Sequence, residues 1–492
     1  MIAMRDGVKL ATDIYLPAEN ASIAGGRFPI ILTRTPYDKL GSKAVGQYFA
    51  SRGYVFVAQD TRGRYGSEGV WHFLTDDGPD GLDSASWIEQ QPWSNGKIGM
   101  LGTSYVGGTQ HAMALEKAPQ LVTVIPVDAA SNMGYQSMRN AGAFELRFWN
   151  WIYAIGAPQG SREARDPATA ALLRQMMEDR RFYLLNLPLR RGTTPLQFAP
   201  EYEDWLVDAM AHGANDPFWK QNDILDHPER YKDIPVYLVG GWYDSWAGNT
   251  TANFQALAKS IRGPVYLMMG PWIHGSQGRF AHGQVSFGKD AAIADELGWR
   301  LEWYDHWLKG IDNDIGKKPP FAAPVRVFVM GTGDGRKTEN GLLNHGGYWR
   351  DEQAWPLART RYTKYYFHEN GGLSTALPGG QTSSTSFTFD PKKPVPTLGG
   401  NISSGDGIMR QGGWDQRGGS NFWNAPEPMP LSARNDVLVF QSAPLAADLE
   451  VTGEITVELW ASSTAVDTDF TAKLIDVYPP SADYPGGFDL NL

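Results

Sequence analysis

Cysteine is absent from the 492 residues, which removes disulfides, thiolate nucleophiles and cysteine-held zinc or iron–sulfur centres. The absence does not fix a compartment. Long apolar runs are missing too: no stretch approaches the roughly 18 apolar residues of a membrane helix, so no membrane span is expected. Nor is there a run of Lys or Arg. With 54 acidic against 44 basic residues and a formal net charge of −10, the chain lacks the basic track that a phosphate backbone attracts, and nucleic acid is not an expected partner. The opening segment MIAMRDGVKLATDIYLP carries Arg5, Asp6 and Lys9 where a signal peptide has its apolar centre, so it reads as an opening strand pair. The cytoplasm is the expected compartment, with a secreted or periplasmic place open if a leader was trimmed.

What is present is an ordered globular composition, 42% hydrophobic and 20% charged, in a chain long enough for two or three domains. FPIILTRTPY (28–37), GYVFVAQDTRG (53–63), KIGMLGTSY (97–105) and LVTVIPVDA (121–129) are apolar runs without alternation, the pattern of strands buried on both faces. Helix-spaced segments lie between them, which implies an α/β fold with a parallel sheet. The pattern returns in DIPVYLVGGWYD (233–244) and GPVYLMMGPWIHG (263–275). The interval between the two halves holds aromatic-rich helical segments, one opening with Asp166 as N-cap and Pro167 in the first turn, and reads as a lid. From about residue 322, PVRVFVMG, TKYYFHENGG, SFTFDP, VLVFQSAP and EITVELWASSTAVDTDFTAKLIDVYP read as closely spaced strands, with long loops in the Gly/Ser-rich stretch 371–421. The expected organisation is an α/β core at 1–139 and 232–321, a helical cap insertion at 140–231 and a β-rich, jelly-roll-like region at 322–492. The strands read there are too few to close two sheets, so a further C-terminal portion is expected beyond the chain.

Chemistry concentrates at strand ends. Ile98–Gln110, IGMLGTSYVGGTQ, places Ser104 between a buried run and a helical pattern, with Gly102, Gly107 and Gly108 around it. This is the setting of a nucleophile elbow, although Val106 stands where the usual G-x-S-x-G has its second glycine; a purely structural glycine turn is the rival reading. A serine hydroxyl needs a base, and the base an acid behind it. Asp244 and His274 follow the next two strand runs in the order Ser, Asp, His. Of the nine histidines, His111 and His306 sit in helical patterns, His345 and His368 in the β-rich region, and His282 is the second choice; Asp128, also at a strand end, is the rival acid.

The segments R-T-P-Y (34–37), Q-D-T-R-G-R-Y-G-S-E-G (59–69), G-T-S-Y-V-G (102–107), G-G-W-Y-D (240–244) and G-P-W-I-H-G (270–275) together resemble the cocaine esterase and X-prolyl dipeptidyl-peptidase family of α/β hydrolases, which includes glutaryl-cephalosporin acylases and α-amino acid ester hydrolases. The resemblance implies an α/β-hydrolase core, a helical cap and a C-terminal jelly roll. It implies Ser104 as nucleophile, His274 as base then acid, Asp244 as its partner, and an oxyanion hole from the Tyr37 hydroxyl and the Tyr105 N–H. Asp60, Arg62 and Arg64 would brace the elbow. The α-amino acid ester hydrolases carry carboxylates just after the catalytic aspartate, whereas Ser245, Trp246, Ala247 and Gly248 follow Asp244 here, which points to an uncharged acyl group; Glu145 or Asp166 from the cap could still intrude. Trp151, Trp246 and Phe148 are candidates for an aromatic substrate pocket, against the plainer reading of packed core.

Asp312 and Asp314 lack the spacing of a calcium loop, and the Asn-x-Ser/Thr matches at Asn20, Asn249 and Asn401 are what chance supplies. No metal or cofactor is expected. The reading is a serine hydrolase of small ester or amide substrates, for which a homo-oligomer is allowed. X-prolyl dipeptidyl-peptidase or β-lactam acylase is the alternative enzyme, and a binding protein on a degenerate hydrolase scaffold the alternative of another class.

Overall fold

The computed structural model describes residues 1–492 except 20–21, 381–383, 403–407, 420–421, 423 and 426–428. Its centre is one nine-stranded sheet built from the apolar runs. The strands are β1 (Thr12–Tyr15), β2 (Phe28–Thr35), β3 (Val55–Asp60), β4 (Ser94–Thr103), β5 (Leu121–Val127), β6 (Val236–Tyr243), β7 (Val265–Ile273), β8 (Val325–Met330) and β9 (Gly347–Glu352). Their order is β9-β8-β7-β6-β5-β4-β2-β3-β1. Neighbours are parallel except at the edges, where β1 lies antiparallel to β3 and β9 to β8.

Side chains alternate between the two faces of a strand, and here both faces are covered. Ile30, Leu32, Val57, Met100 and Leu238 pack with Ile88 of α2 (Asp77–Glu89), Met113 of α3 (Tyr105–Leu115) and Leu257 of α8 (Ala247–Ser260). Ile31, Phe56, Leu101, Val127 and Val239 point the other way, against Phe49 of α1 (Lys43–Ala50) and Trp303 of α9 (Glu296–Lys309). Such two-sided burial requires unbroken apolar runs, which is why these strands do not alternate in sequence. Helix ends follow capping chemistry: Asp295 accepts from Gly298 N at 2.8 Å to open α9, and Gly310 closes it in the left-handed region (φ 74°).

The insert between β5 and β6 is helical, with α4 (Leu146–Trp151), α5 (Pro167–Glu178), α6 (Arg180–Leu185) and α7 (Pro200–Ala211). Asp166 caps α5 by accepting from Thr169 N at 2.8 Å. One buried cation fastens the insert to the core: Arg64 donates to Pro36 O (3.0 Å), to Tyr202 Oη on α7 (2.6 Å), and to the carbonyls of Gly156 and Gln159. Arg64 therefore joins cap to core and does not brace the elbow. Asp60 takes the N–H groups of Lys39 and Gly66, and Arg62 pairs with Asp80 and Asp6.

Beyond residue 321 the structure departs from the expectation in two ways. PVRVFVMG is not the first strand of a separate sheet: Val325–Met330 pairs with β7, and Gly347–Glu352 then completes the edge. An apolar run reads the same in either sheet, and the partner is chosen by tertiary contact. Second, SFTFDP and VLVFQSAP form no strand among the described residues, and of EITVELWASSTAVDTDFTAKLIDVYP only Ile475–Tyr478 does. A strand exists through its ladder, and here the pairing stops at a single bridge from Gln441 to Gly372; Ile455, Leu459 and Trp460 are exposed. The pairs that form there include Tyr366–Phe367 with Leu373–Ser374, Leu343–Asn344 with Val285–Ser286, and β10 (Ile475–Tyr478) with β11 (Phe488–Asn491). Phe488 and Leu490 of β11 pack with Tyr243, and Tyr243 Oη donates to Asn491 O at 3.1 Å, so this region braces the end of β6. Asn20 lies outside the described residues, and Asn249 is buried. No helix among the described residues is long and apolar enough to cross a membrane.

His282 and His345 flank Phe287 at this junction, and burial pushes both down to about 4 from the ordinary 6.5. As pH falls below about 6.5 the unfolded chain takes up protons that the folded chain accepts only near 4, so these residues make stability fall through that window. Thermal unfolding of His345→Gln should therefore show a shallower loss of Tm between pH 6.5 and 4 than the parent; parallel curves would refute the assignment.

Candidate active site

The site begins with a turn that has no room for side chains. Gly102 has φ 148°, and a Cβ there would stand 2.1 Å from Val106 Cγ1. A Cβ at Gly107 would be 2.7 Å from that of Ala129, and one at Gly108 2.6 Å from Leu74 Cδ1. The Val at 106 is thus accommodated because the glycine that admits the neighbouring strand is Gly107. Ser104 itself is held at φ 68°, ψ −126°, a conformation that costs a non-glycine residue roughly 1–3 kcal/mol. Its N–H donates to Val127 O (2.9 Å) and its carbonyl accepts from Gly108 N (3.0 Å), fixing it at the end of β4 and the start of α3.

Tyr37, just past β2, is half-buried, and its phenol hydrogen-bonds with Ser104 and Trp151. Burial pushes the phenol above its ordinary value, although those bonds and Arg64 oppose it; it remains a proton donor. Tyr105 opens α3, so its N–H is one of those a helix leaves without an internal partner. Its buried ring is pinned from behind: Tyr105 Oη donates to Asp77 Oδ2 (2.9 Å) and accepts from Leu74 N (3.2 Å). Asp77 pairs with Arg34 at 3.4 Å and is pushed up to about 6, chiefly by burial, with Arg34 opposing. Arg34, Asp77 and Tyr105 are too far apart in sequence for local pattern to join them; the one signal was Arg34 within R-T-P-Y.

Asp244 follows β6 and is fully buried. Its Oδ1 accepts from Trp246 N at 2.6 Å, and its Oδ2 is hydrogen-bonded to His274 Nδ1, just past β7. An ionised carboxylate can only accept, so Nδ1 carries the proton and Nε2 keeps a free lone pair. Burial lowers the basicity of His274, but the charge and hydrogen bond of Asp244, with Asp128 beyond, outweigh it and raise the imidazole above its ordinary value. The loops converge on one rim: a Cβ at Gly275 would lie 3.8 Å from Thr103 Cγ2, so the residue after His274 meets the residue before Ser104.

Asp128, the rival acid, bonds to Gly275 N and Gln277 Nε2 at 2.8 Å each and not to the imidazole. The other histidines lie elsewhere: His111 contacts Tyr231 Oη (3.0 Å) within the core, His282 and His345 lie at the Phe287 junction, His306 meets Trp307, and His368 meets Ser374. Among the described residues Asp128, Asp244 and His274 are the one group with three metal-capable atoms within 4.8 Å. Three of their four carboxylate oxygens are already taken by N–H donors, and the set is not read as a metal centre.

Aromatic rings wall the rim. Trp246 meets the His274 ring edge-on at 5.4 Å and stacks with Phe148 at 6.1 Å; Trp151 meets Tyr37 edge-on at 6.3 Å. All three are buried with Phe73, Tyr105 and Tyr202 in one cluster, so they are core and wall at once. Phe73 and Leu74 also border a cavity of about 270 Å³ with Met133, Trp205 and Trp219. Arg147 lies 4.3 Å over Phe148 and 4.5 Å over Trp246, ion-paired with Glu145. The carboxylate expected to intrude is thus already neutralised by a neighbour, and Asp166 is spent on its helix cap.

Comparison with known proteins identifies the family. A family model described as "X-Pro dipeptidyl-peptidase (S15 family)" matches residues 6–276, and one described as "X-Pro dipeptidyl-peptidase C-terminal non-catalytic domain" matches 321–488. The chain is 32% identical to the cocaine esterase of Rhodococcus sp. (strain MB1 Bresler) over 97% of its own length and 80% of that protein's. Among solved structures it is similar to an aminopeptidase from a marine-sediment Thaumarchaeota archaeon (TM-score 0.58, 25% identity, 80% of this chain and 65% of that one). It is similar also to an α-amino acid ester hydrolase (TM-score 0.63, 22% identity, 100% and 80%), a likeness of fold.

A phenol aimed at Ser104 is placed to bind a developing oxyanion, and loss of one such donor costs about 10²–10³ in kcat. Tyr37→Phe should lose activity on p-nitrophenyl acetate to that order with KM little changed; a loss under about threefold would remove Tyr37 from the oxyanion site.

Proposed function

This chain belongs to the X-Pro dipeptidyl-peptidase (S15) family of α/β hydrolases, a serine hydrolase of carboxylic esters, and from that premise we propose how its site works. Ser104 Oγ attacks the acyl carbonyl while His274 Nε2 takes its proton. Asp244 stays ionised, holds the ring through Nδ1 and stabilises the imidazolium. The oxyanion is met by the Tyr37 hydroxyl and the Tyr105 N–H. The imidazolium then protonates the leaving oxygen, the C–O bond breaks and an acyl-Ser104 remains. A water, deprotonated by His274, attacks this acyl group; the bond to Ser104 Oγ breaks, the imidazolium returns the proton to Oγ, and the acid is released. The observation that carries the assignment is the buried Asp244 carboxylate on His274 Nδ1, at the rim where Ser104 is held in a strained turn under the Tyr37 phenol.

Trp246, Phe148 and Trp151 bound the acyl side. With no carboxylate directly after Asp244 and with Glu145 paired to Arg147, the site lacks a free counter-charge for a substrate ammonium among the described residues of this wall. An uncharged, small, apolar or aromatic acyl group fits it best, and the expected compartment is the cytoplasm.

Ser104→Ala should abolish p-nitrophenyl ester hydrolysis with the circular dichroism spectrum unchanged, and a fluorophosphonate probe should label the parent at Ser104 alone; turnover by the alanine variant would refute the nucleophile. A second measurement settles the branch. Initial rates should rank phenyl acetate well above glycyl-prolyl p-nitroanilide and glutaryl anilide, whereas a preference for the prolyl substrate would make the chain a dipeptidyl-peptidase, and one for the glutaryl substrate an acylase.

A further inference from the structure

The site holds one buried acid that the mechanism does not use. Asp128 follows β5, the strand lying between β4 with Ser104 and β6 with Asp244. It is fully buried, in the left-handed region (φ 41°), with its N–H on Val239 O at 2.8 Å. Oδ2 accepts from Gly275 N and from Gln277 Nε2, both at 2.8 Å, while Oδ1 is buried with no hydrogen-bond partner. An orphaned carboxylate oxygen and a strained backbone are both costly, and here they coincide on a residue whose polar atoms lie within 4.8 Å of those of Asp244 and His274.

We propose that Asp128 is a positioning residue for ester cleavage, tying down the loop that carries the base so that the imidazole keeps its aim between Ser104 and Asp244. The inference rests on the triad reading above. Its geometry is direct. Gly275 is the residue after His274, so fixing its N–H fixes the peptide that sets the direction of the ring, and Gln277 extends the hold two residues further. Gly275 is at φ 66°, and the other bonds at that peptide are longer: its carbonyl, on His274, accepts from Ser276 Oγ at 3.5 Å, and Ser276 N donates to Ile273 O at 3.2 Å. The charge of Asp128 acts as well: a carboxylate beside the imidazole favours its protonated form, adding to Asp244. Besides Asp244 and His274, the charged groups facing this cluster are Arg147 and Glu145 from the cap and Arg300 from α9. Burial and the charge of Asp244 push Asp128 itself up to about 7, so its charge is full above neutral pH and partial across the acid limb, where it acts on the imidazole in proportion.

Asp128→Asn keeps a carbonyl acceptor for the Gly275 N–H and removes the charge; Gln277→Leu removes one partner and leaves the charge. On p-nitrophenyl acetate Asp128→Asn should lose about tenfold in kcat with KM nearly unchanged, the scale of a slightly misaimed catalytic group. The acid limb of its kcat/KM profile should move to lower pH, because a negative charge next to the base is gone. Gln277→Leu should lower kcat with the acid limb in place. An unmoved acid limb together with a kcat loss that tracks the fall in Tm would make Asp128 merely structural and overturn the proposal, as would parental kinetics in Asp128→Asn. Should that variant fail to fold, parental kcat in Gln277→Leu overturns it. Activity surviving Ser104→Ala would strike at the triad instead, so the two failures are told apart.

Discussion

The close approach of β4, α3 and β5 around residue 104 is the constraint on which the site depends. Three glycines let backbone and neighbouring side chains meet where a Cβ would stand under 3 Å from another atom. That crowding is what forces a serine into the left-handed region and keeps its side chain at the end of the strand, because no relaxed conformation fits. The strain is small beside the burial that holds it: the apolar runs of β2, β4 and β5 are covered on both faces, and relaxing the turn would drag them out of register.

Around that turn the charges are arranged in pairs. Arg34 with Asp77 stands behind Tyr105, Asp244 stands behind His274, and Arg147 with Glu145 lies at the aromatic wall. The pairs act on one another as well: Asp128 and Arg147 both bear on His274, and Asp80 lies 3.9 Å from Arg34. A wall of Trp and Phe then keeps water from screening these short contacts, and short contacts in a dry site are worth far more than the same contacts in water.

Much of this was legible in the chain before its fold. The strands were, because two-sided burial demands uninterrupted apolar runs; so was the order of Ser104, Asp244 and His274, because each stands where such a run stops. The capping of α5 by Asp166 followed from side-chain chemistry alone. What escaped was whatever depends on partners far apart in sequence. Val325–Met330 reads as a strand but says nothing of which sheet receives it. SFTFDP and VLVFQSAP have the composition of strands, yet composition supplies no neighbour. Arg34, Asp77 and Tyr105 become a unit only when three elements pack, and Asp128 could be recognised as an acid near a strand end but not as the anchor of another loop.

The fastening of Arg64 changes how the roof over this site is understood. A guanidinium sealed from solvent and shared among Pro36, Gly156, Gln159 and Tyr202 cannot let go of one side without leaving a bare cation in a dry interior. The helical insert is therefore bolted and not hinged. Moving the insert as one body would strip a buried cation of its partners, so a rearrangement that spares Arg64 costs less than one that lifts the whole roof.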